Sequence, residues 1–556
     1  MKSFLLFILL LLSSLSQIQA QAELVPVNHR VYSFLKQMEL KGVIGNYNSA
    51  NLPLSREDVA SFLITIRDKE AGLNPTERKI LDDLYVEFSY DLTKSLDNSF
   101  SLFDSFRINK IFSDSSYKYL YASSDKTLSL FLDGTGSVSY RDFNSESYPK
   151  TSMGLGELGL RVRGSLYDNL GFYLHISNGE QLSGDYYSRV VAGSYDPHLI
   201  SNVKFISEKY YDSFEGYGRI VTENKILSVT LGREKLELGT GYIDKLFLSG
   251  YAAPFDFGKL DFKYKALQYT FIYGNIRGDS LGTPLISKNI IAHRVDINFS
   301  EKFRLGIYES IIASNSPLSF TYLNPVSFLT MADFSAQQKD NSNSMIGLDC
   351  EIKPMKNLSA QFSLLIDDLN FKTISHNDPS GDDNKFGYQA GVMIYEPLNI
   401  ANLTTSVEYT RLDPFVYSHR SNESTYTHWG VGLGHQLPPN SDEIALLLNY
   451  DFSSRLSGWL KYQFQRSGEG IILDANGNLV RNYGGDINRG DGDFAFTNTF
   501  LMGNRVNRNI LTLHLHLEPV RQYYIDFEYS AHIINAMYLN TNYTDKYLYL
   551  TLSTDF

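Results

Sequence analysis

The chain has a single cysteine, Cys350, in 556 residues. A disulfide framework and a cysteine-based metal centre are excluded by count alone. Past the first dozen residues it also lacks any apolar run of the ~20 residues that a helix needs to cross a bilayer. If it resides in a membrane it must do so as a closed barrel, because only helices and barrels satisfy every backbone group in lipid. A basic excess is missing too: the formal net charge is -12, which argues against nucleic acid as a partner. Tryptophan is scarce, with 2 residues, whereas Tyr and Phe number 39 and 35. That balance, with a mean hydropathy of -0.22, is too polar for a helical membrane protein and suits strands and interfacial aromatic girdles. A secreted all-β protein would share the alternation, so the two ends of the chain matter.

Lys2, the apolar run from Phe4 to Leu12 and the small-residue site Ala20-Gln21-Ala22 predict a secretory signal peptide over residues 1–22, cleaved after Ala20 or Ala22. At the other end, Leu548, Leu550, Leu552 and Phe556 share one face of a strand, and Tyr549, Thr551, Ser553 and Asp555 the other. This pattern resembles the terminal targeting signal of bacterial outer-membrane barrels, which implies the barrel assembly machinery as a partner during biogenesis.

Residues 23–94 read as a small helical bundle. Val31, Phe34, Leu35 and Met38 recur at helical spacing with Gly42 as a stop, Ser55 and Asp58 suit a capping box, and Asn74-Pro75-Thr76-Glu77 opens a third helix. A unit this small buries a modest core and is expected to lean on the rest of the chain, at the periplasmic side.

From about residue 95 the period is two. Leu158, Leu160 and Val162 alternate with Gly159, Arg161 and Arg163; Leu511, Leu513, Leu515 and Leu517 alternate with Thr512, His514 and His516; Tyr523, Ile525 and Phe527 alternate with Tyr524, Asp526 and Glu528. Charge stays on one face, as a polar lumen and a lipid-facing wall require. Cys350 falls on the lipid-facing parity, between lumenal Asp349 and Glu351. The fold class is therefore mainly β: a transmembrane antiparallel β-barrel of about 18 strands over residues 95–556, in the outer membrane of a diderm bacterium, with outer-membrane lipid around it. Turn-rich inserts at Asn178 to Lys209, Ser314 to Asn343, His376 to Lys385 and Ser467 to Asn498 are expected to be extracellular loops.

Several blocks stand out in order: Leu231-Gly232-Arg233-Glu234-Lys235-Leu236-Glu237-Leu238-Gly239-Thr240-Gly241, then Leu248-Ser249-Gly250-Tyr251-Ala252-Ala253-Pro254-Phe255, Ala292-His293-Arg294, Gly306-Ile307-Tyr308-Glu309, Tyr322-Leu323-Asn324-Pro325 and Gly347-Leu348-Asp349. With Val31-Tyr32, Leu40-Lys41-Gly42 and Pro53-Leu54-Ser55-Arg56-Glu57 before them, they resemble the Wzi family of capsule-assembly proteins. The resemblance implies an eighteen-stranded outer-membrane barrel, obstructed by its helical bundle, that binds and anchors or organises capsular or related surface polysaccharide without catalysis or cofactor.

A sugar site needs paired planar donors and acceptors and aromatic faces. Arg233, Glu234, Glu237, Arg294, Glu309, Tyr322 and Asn324 offer that chemistry, although the same residue types suit a lumenal ion-pair network. Arg233 and Glu309 carry outward parity if their strands run unbroken. His514 and His516 lack a third metal ligand, and the acidic loop from Asp486 to Asp493 lacks calcium-site spacing, so no metal is expected. No nucleophile, base and orienting group announce themselves, which favours a binding protein over a barrel hydrolase. A porin or transporter is the other alternative.

Overall fold

The computed structural model describes residues 22–104, 107–201, 208–278, 287–314, 321–329, 331, 342–368, 384–419, 422–476, 479–490 and 499–556. The expected leader up to Gln21 lies outside them, as do parts of the expected loops and the end of the acidic segment at 491–493.

Four helices come first: α1 (Val31–Leu40), α2 (Arg56–Asp68), α3 (Pro75–Glu87) and the short α4 (Ser89–Thr93). Gly42, at φ +75°, follows α1 in the left-handed conformation that stops a helix at little cost. Ser55 caps α2 by accepting from the Asp58 amide, but the Asp58 carboxylate does not complete the box and pairs with Lys263 at 3.1 Å. At α3 the box closes reciprocally between Asn74 and Glu77. Val31, Leu35, Met38, Val59, Leu63, Ile66, Leu81 and Leu84 form the shared core.

The bundle leans on the barrel as expected. Arg30 donates to the Ser454 carbonyl at 2.9 Å, Arg304 to the Tyr47 carbonyl at 3.2 Å and Arg521 to the Asp83 carbonyl at 3.0 Å. The described residues of 95–127 connect bundle to wall through short strands, and the first full wall strand begins only at Leu128.

Eighteen antiparallel strands close the barrel among the described residues: β1 (Leu128–Ser145), β2 (Thr151–Leu166), β3 (Leu170–Ser183), β4 (Tyr210–Val221), β5 (Leu227–Glu234), β6 (Phe255–Tyr264), β7 (Leu267–Arg277), β8 (Ser287–Ser300), β9 (Phe303–Ser314), β10 (Ser342–Met355), β11 (Leu358–Asp368), β12 (Lys385–Tyr395), β13 (Leu403–Leu412), β14 (Ser441–Ser453), β15 (Leu456–Glu469), β16 (Asn504–Val520), β17 (Tyr523–Ala536) and β18 (Thr541–Asp555). β18 closes on β1, with Leu550 opposite Tyr140 and Leu552 opposite Val138. Phe556 and Gly134 exchange both backbone hydrogen bonds at 2.7 Å. Closure removes the sheet edges that lipid could not satisfy.

The alternation holds on both faces. Leu158, Leu160, Leu231, Leu511, Leu550 and Leu552 are exposed outside, while Arg161, His516 and Asp526 point inward into ion pairs. Turns such as 166–170, 264–267, 300–303 and 453–456 crowd one end with the helices, and the strand ends from which the long connections depart lie at the other.

Candidate functional site

The described residues of two long connections fold back into the lumen. The segment 235–254 runs inward after β5, and its Glu237–Leu238 pairs with Asn51–Leu52 of the amino-terminal region. Its Leu236, Leu246, Phe247 and Leu248 pack on the inner wall at Phe257, Ile272, Ile290 and Tyr308, together with Tyr417, Tyr426, Leu433 and Leu437 from segment 413–440. Phe247 stacks on Tyr308 with centroids 4.2 Å apart. Tyr417 and Tyr426 donate to the carbonyls of Leu246 and Phe247 at 2.6 and 2.9 Å, so the buried hydroxyls are satisfied. Glu408 on β13 receives the amides of Tyr242, Ile243 and Asp244 at 2.8, 3.3 and 3.2 Å and fixes the loop tip to the wall. One side of the lumen is thereby filled. The loops expected from sequence omit both: the leucines of 235–254 look like a wall strand, whereas Pro414, Gly430, Gly432, Gly434 and Pro438-Pro439 were the available turn signal for 413–440.

At the long-loop end of the opposite side, a further helix, α5 (Tyr186–Tyr195), packs Ala192 against Phe143, Met153 and Tyr547 on the inner wall. Toward the short-turn end lies a cavity of about 910 Å³ between the amino-terminal segment and the wall of β12 to β18 and β2 to β4. Aromatic rings give it apolar faces. Trp459 stacks on His514 at 5.2 Å and 10°, His516 on Tyr524 at 5.6 Å, and Tyr173 on Tyr217 at 5.4 Å.

Several charged groups in its lining are held by ion pairs that fix their geometry, and Asp451 accepts from the Gln37 side chain at 2.9 Å. Arg161 bridges Asp133 and Asp555 at 2.8 and 2.9 Å, Arg163 pairs with Glu23 at 2.8 Å, and His516 Nδ1 meets Asp526 at 2.7 Å. Cross-strand register accounts for the clustering: Ser457, His516, Asp526 and Thr551 occupy one row across four strands, and Trp459 faces His514 on the next.

Ser457, His516 and Asp526 have the residue types of a hydrolytic triad. Among the described residues, however, no hydrogen bond joins the Ser457 hydroxyl to His516, so the relay that would activate a nucleophile is not assembled. Nor does any group of three or more His, Cys, Asp or Glu among the described residues sit close enough to hold a metal ion.

None of the seven candidates named from sequence lines this cavity. Arg233 points outward, as its parity implies, and forms a bidentate pair with Asp256 at 2.7 and 2.9 Å. Glu234 is buried on the lumenal side, and Glu237 pairs with Lys245 at 2.8 Å within the folded-in loop. Arg294 is fully buried between Asp296 and Asp349, at 2.6 and 2.7 Å. Glu309 also points outward, beside His293 at 3.4 Å, and receives the Leu329 amide at 3.0 Å. Tyr322 is buried against the outer wall and Asn324 is exposed nearby, its side chain accepting from the Val326 amide.

Comparison with known proteins agrees with this architecture. The family model described as capsule assembly protein Wzi matches residues 129–490, leaving the amino-terminal helices α1 to α4 and the last strands outside it. Among solved structures, Wzi, an outer membrane protein involved in group 1 capsule assembly in Escherichia coli and titled a carbohydrate-binding β-barrel, is similar with a TM-score of 0.55. The identity is 13%, over 96% of this chain and 99% of that one. OprD of Pseudomonas aeruginosa follows at a TM-score of 0.43 and 11% identity, over 77% and 94% of the two chains. A BenF-like porin from Pseudomonas fluorescens Pf-5 reaches 0.46 at 9% identity, over 77% and 99%. No curated protein matches the sequence. With the family model spanning well over half of its length, the chain belongs to the capsule assembly protein Wzi family of outer-membrane β-barrels.

Proposed function

We propose that this barrel holds capsular or related surface polysaccharide noncovalently, in its lumen, without turnover. The observation that carries this reading is the lumenal cavity. It offers stacked aromatic faces at Trp459, Tyr524 and Tyr173 for the apolar side of pyranose rings. Around them stand charged donors and acceptors, each fixed by a partner, that can grip hydroxyls without rearranging. The solved relative titled a carbohydrate-binding barrel lends support by its shared fold.

In this reading Arg294 and Glu237 serve the ligand indirectly, by holding the wall and the folded-in loop in place. Deleting the gene and staining intact cells for retained polysaccharide tests the proposal. Loss of retained polymer, with undiminished polymer released to the medium, is expected. Unchanged retention would overturn it.

A further inference from the structure

The described stretch 321–329, with Met331, comes from the long connection between β9 and β10 and lies on the outside of the barrel. Tyr322 and Leu329 are buried in a cluster with Phe271, Ile291, Ile311 and Ala313. The parities that put Thr270, Arg294 and Tyr308 inside put Phe271, Ile291 and Ile311 outside. The Tyr269 hydroxyl, also outward, donates to the Pro325 carbonyl, and the Leu329 amide to Glu309. The chain thus lies down against the outer wall as a strap over the His293–Glu309 pair.

Cross-strand register sets its depth. The row through the pair runs to Phe271 and Leu260 on one side, and to Ile346, Ile366 and Phe386 on the other. In a tilted barrel one arm of such a row climbs and the other descends. Since both arms are apolar, the pair sits inside the apolar belt, at a depth where bare ionisable groups would face hydrocarbon. The strap covers them there, and past the exposed Asn324 its exposed side chains are apolar: Val326 is 89% exposed, Met331 62% and Phe328 50%.

We infer that the strap is a lipid-contacting element, inserting Val326, Phe328 and Met331 among the acyl chains of the outer leaflet and sealing the His293–Glu309 pair from them. The occupant follows from continuity: the strap's outer side extends the lipid-facing wall at Ile307 and Leu348. It also gives the Tyr322-Leu323-Asn324-Pro325 block a structural purpose, with Tyr322 as the buried anchor and Pro325 as the carbonyl that Tyr269 holds.

The test uses the full chain in phosphatidylcholine vesicles, with tryptophan introduced by Val326→Trp and, separately, Phe328→Trp. Native Trp429 and Trp459 supply the baseline, and barrel integrity is checked by heat-modifiable gel migration. Brominated phosphatidylcholine is expected to quench most of the added emission, and aqueous iodide to spare it. Quenching of both by iodide, with no effect of the brominated lipid, would overturn the inference and leave the glycan reading untouched.

Discussion

Glu351 on the barrel wall lies between two cations, Lys36 of the first helix at 2.5 Å and Arg304 of the adjoining strand at 2.6 Å. Ser359 donates to the same carboxylate at 2.8 Å. The three charged side chains are almost wholly buried, so the triad ties the helical bundle to the lumen. Glu351→Gln leaves the buried Arg304 without its anion and Lys36 with Glu39 alone, at 2.8 Å, and is expected to cost about 3 kcal/mol. Limited proteolysis should then cut within α1 to α3 at protease levels that spare the wild type, while the barrel stays intact. Equal protease resistance would show that the pin carries no load.

Acid should loosen the bundle at a second point. Burial alone would raise the Glu87 carboxyl, but His29, at 2.7 Å, with Arg56 and Arg30, outweighs it and holds the group at about 2, below its ordinary 4.5. A depressed folded-state value means stability that is complete above the unfolded value and is lost as protons bind on the way down. Bundle protection in amide exchange is therefore expected to fall between pH 4.5 and about 2, and Glu87→Gln should flatten that dependence.

Conductance addresses the porin alternative. The helices occupy the short-turn end, and segments 235–254 and 413–440 fill one side of the lumen. Planar bilayers containing the purified protein should show no steady open pore. A stable, ohmic channel in the wild type would favour transport.

Cys350 reports on the orientation of the wall. It stands opposite Leu305 and Phe362 on the outer face, between lumenal Asp349 and Glu351. A membrane-soluble maleimide should label it in vesicles, and a charged, membrane-impermeant one should not. The reverse pattern would invert the facing of β10.

The wall was readable in the sequence because a period of two with charge confined to one parity fits little besides a two-faced strand. The leucines of residues 511–517 and Thr512, His514 and His516 between them take the faces that alternation predicts. The three principal helices and the Asn74 cap were equally plain. What lies inside the barrel was not. Leu246, Phe247 and Leu248 have the composition of a wall strand, and only the tertiary fold turns them inward.

The cavity was hidden for a related reason. His514 and His516 were recognisably lumenal, but parity says nothing of which residues on other strands share their row. Trp459 and Asp526 reach them through register, which depends on every turn between. Inward parity of Trp459, His514, Tyr524 and Asp526 on successive strands was the signal available. The seven residues chosen from motifs were instead drawn to blocks that build the folded-in loop, the buried Arg294 ion pair and the outer strap.

Residence of a glycan in the lumen is tested most directly by equilibrium binding of the host's purified surface polysaccharide to the detergent-solubilised protein, wild type against Trp459→Ala. Removing the aromatic face should weaken binding by about three- to ten-fold, with the thermal unfolding of the barrel unchanged. Equal affinity in the two proteins, or no binding to either, would contradict it.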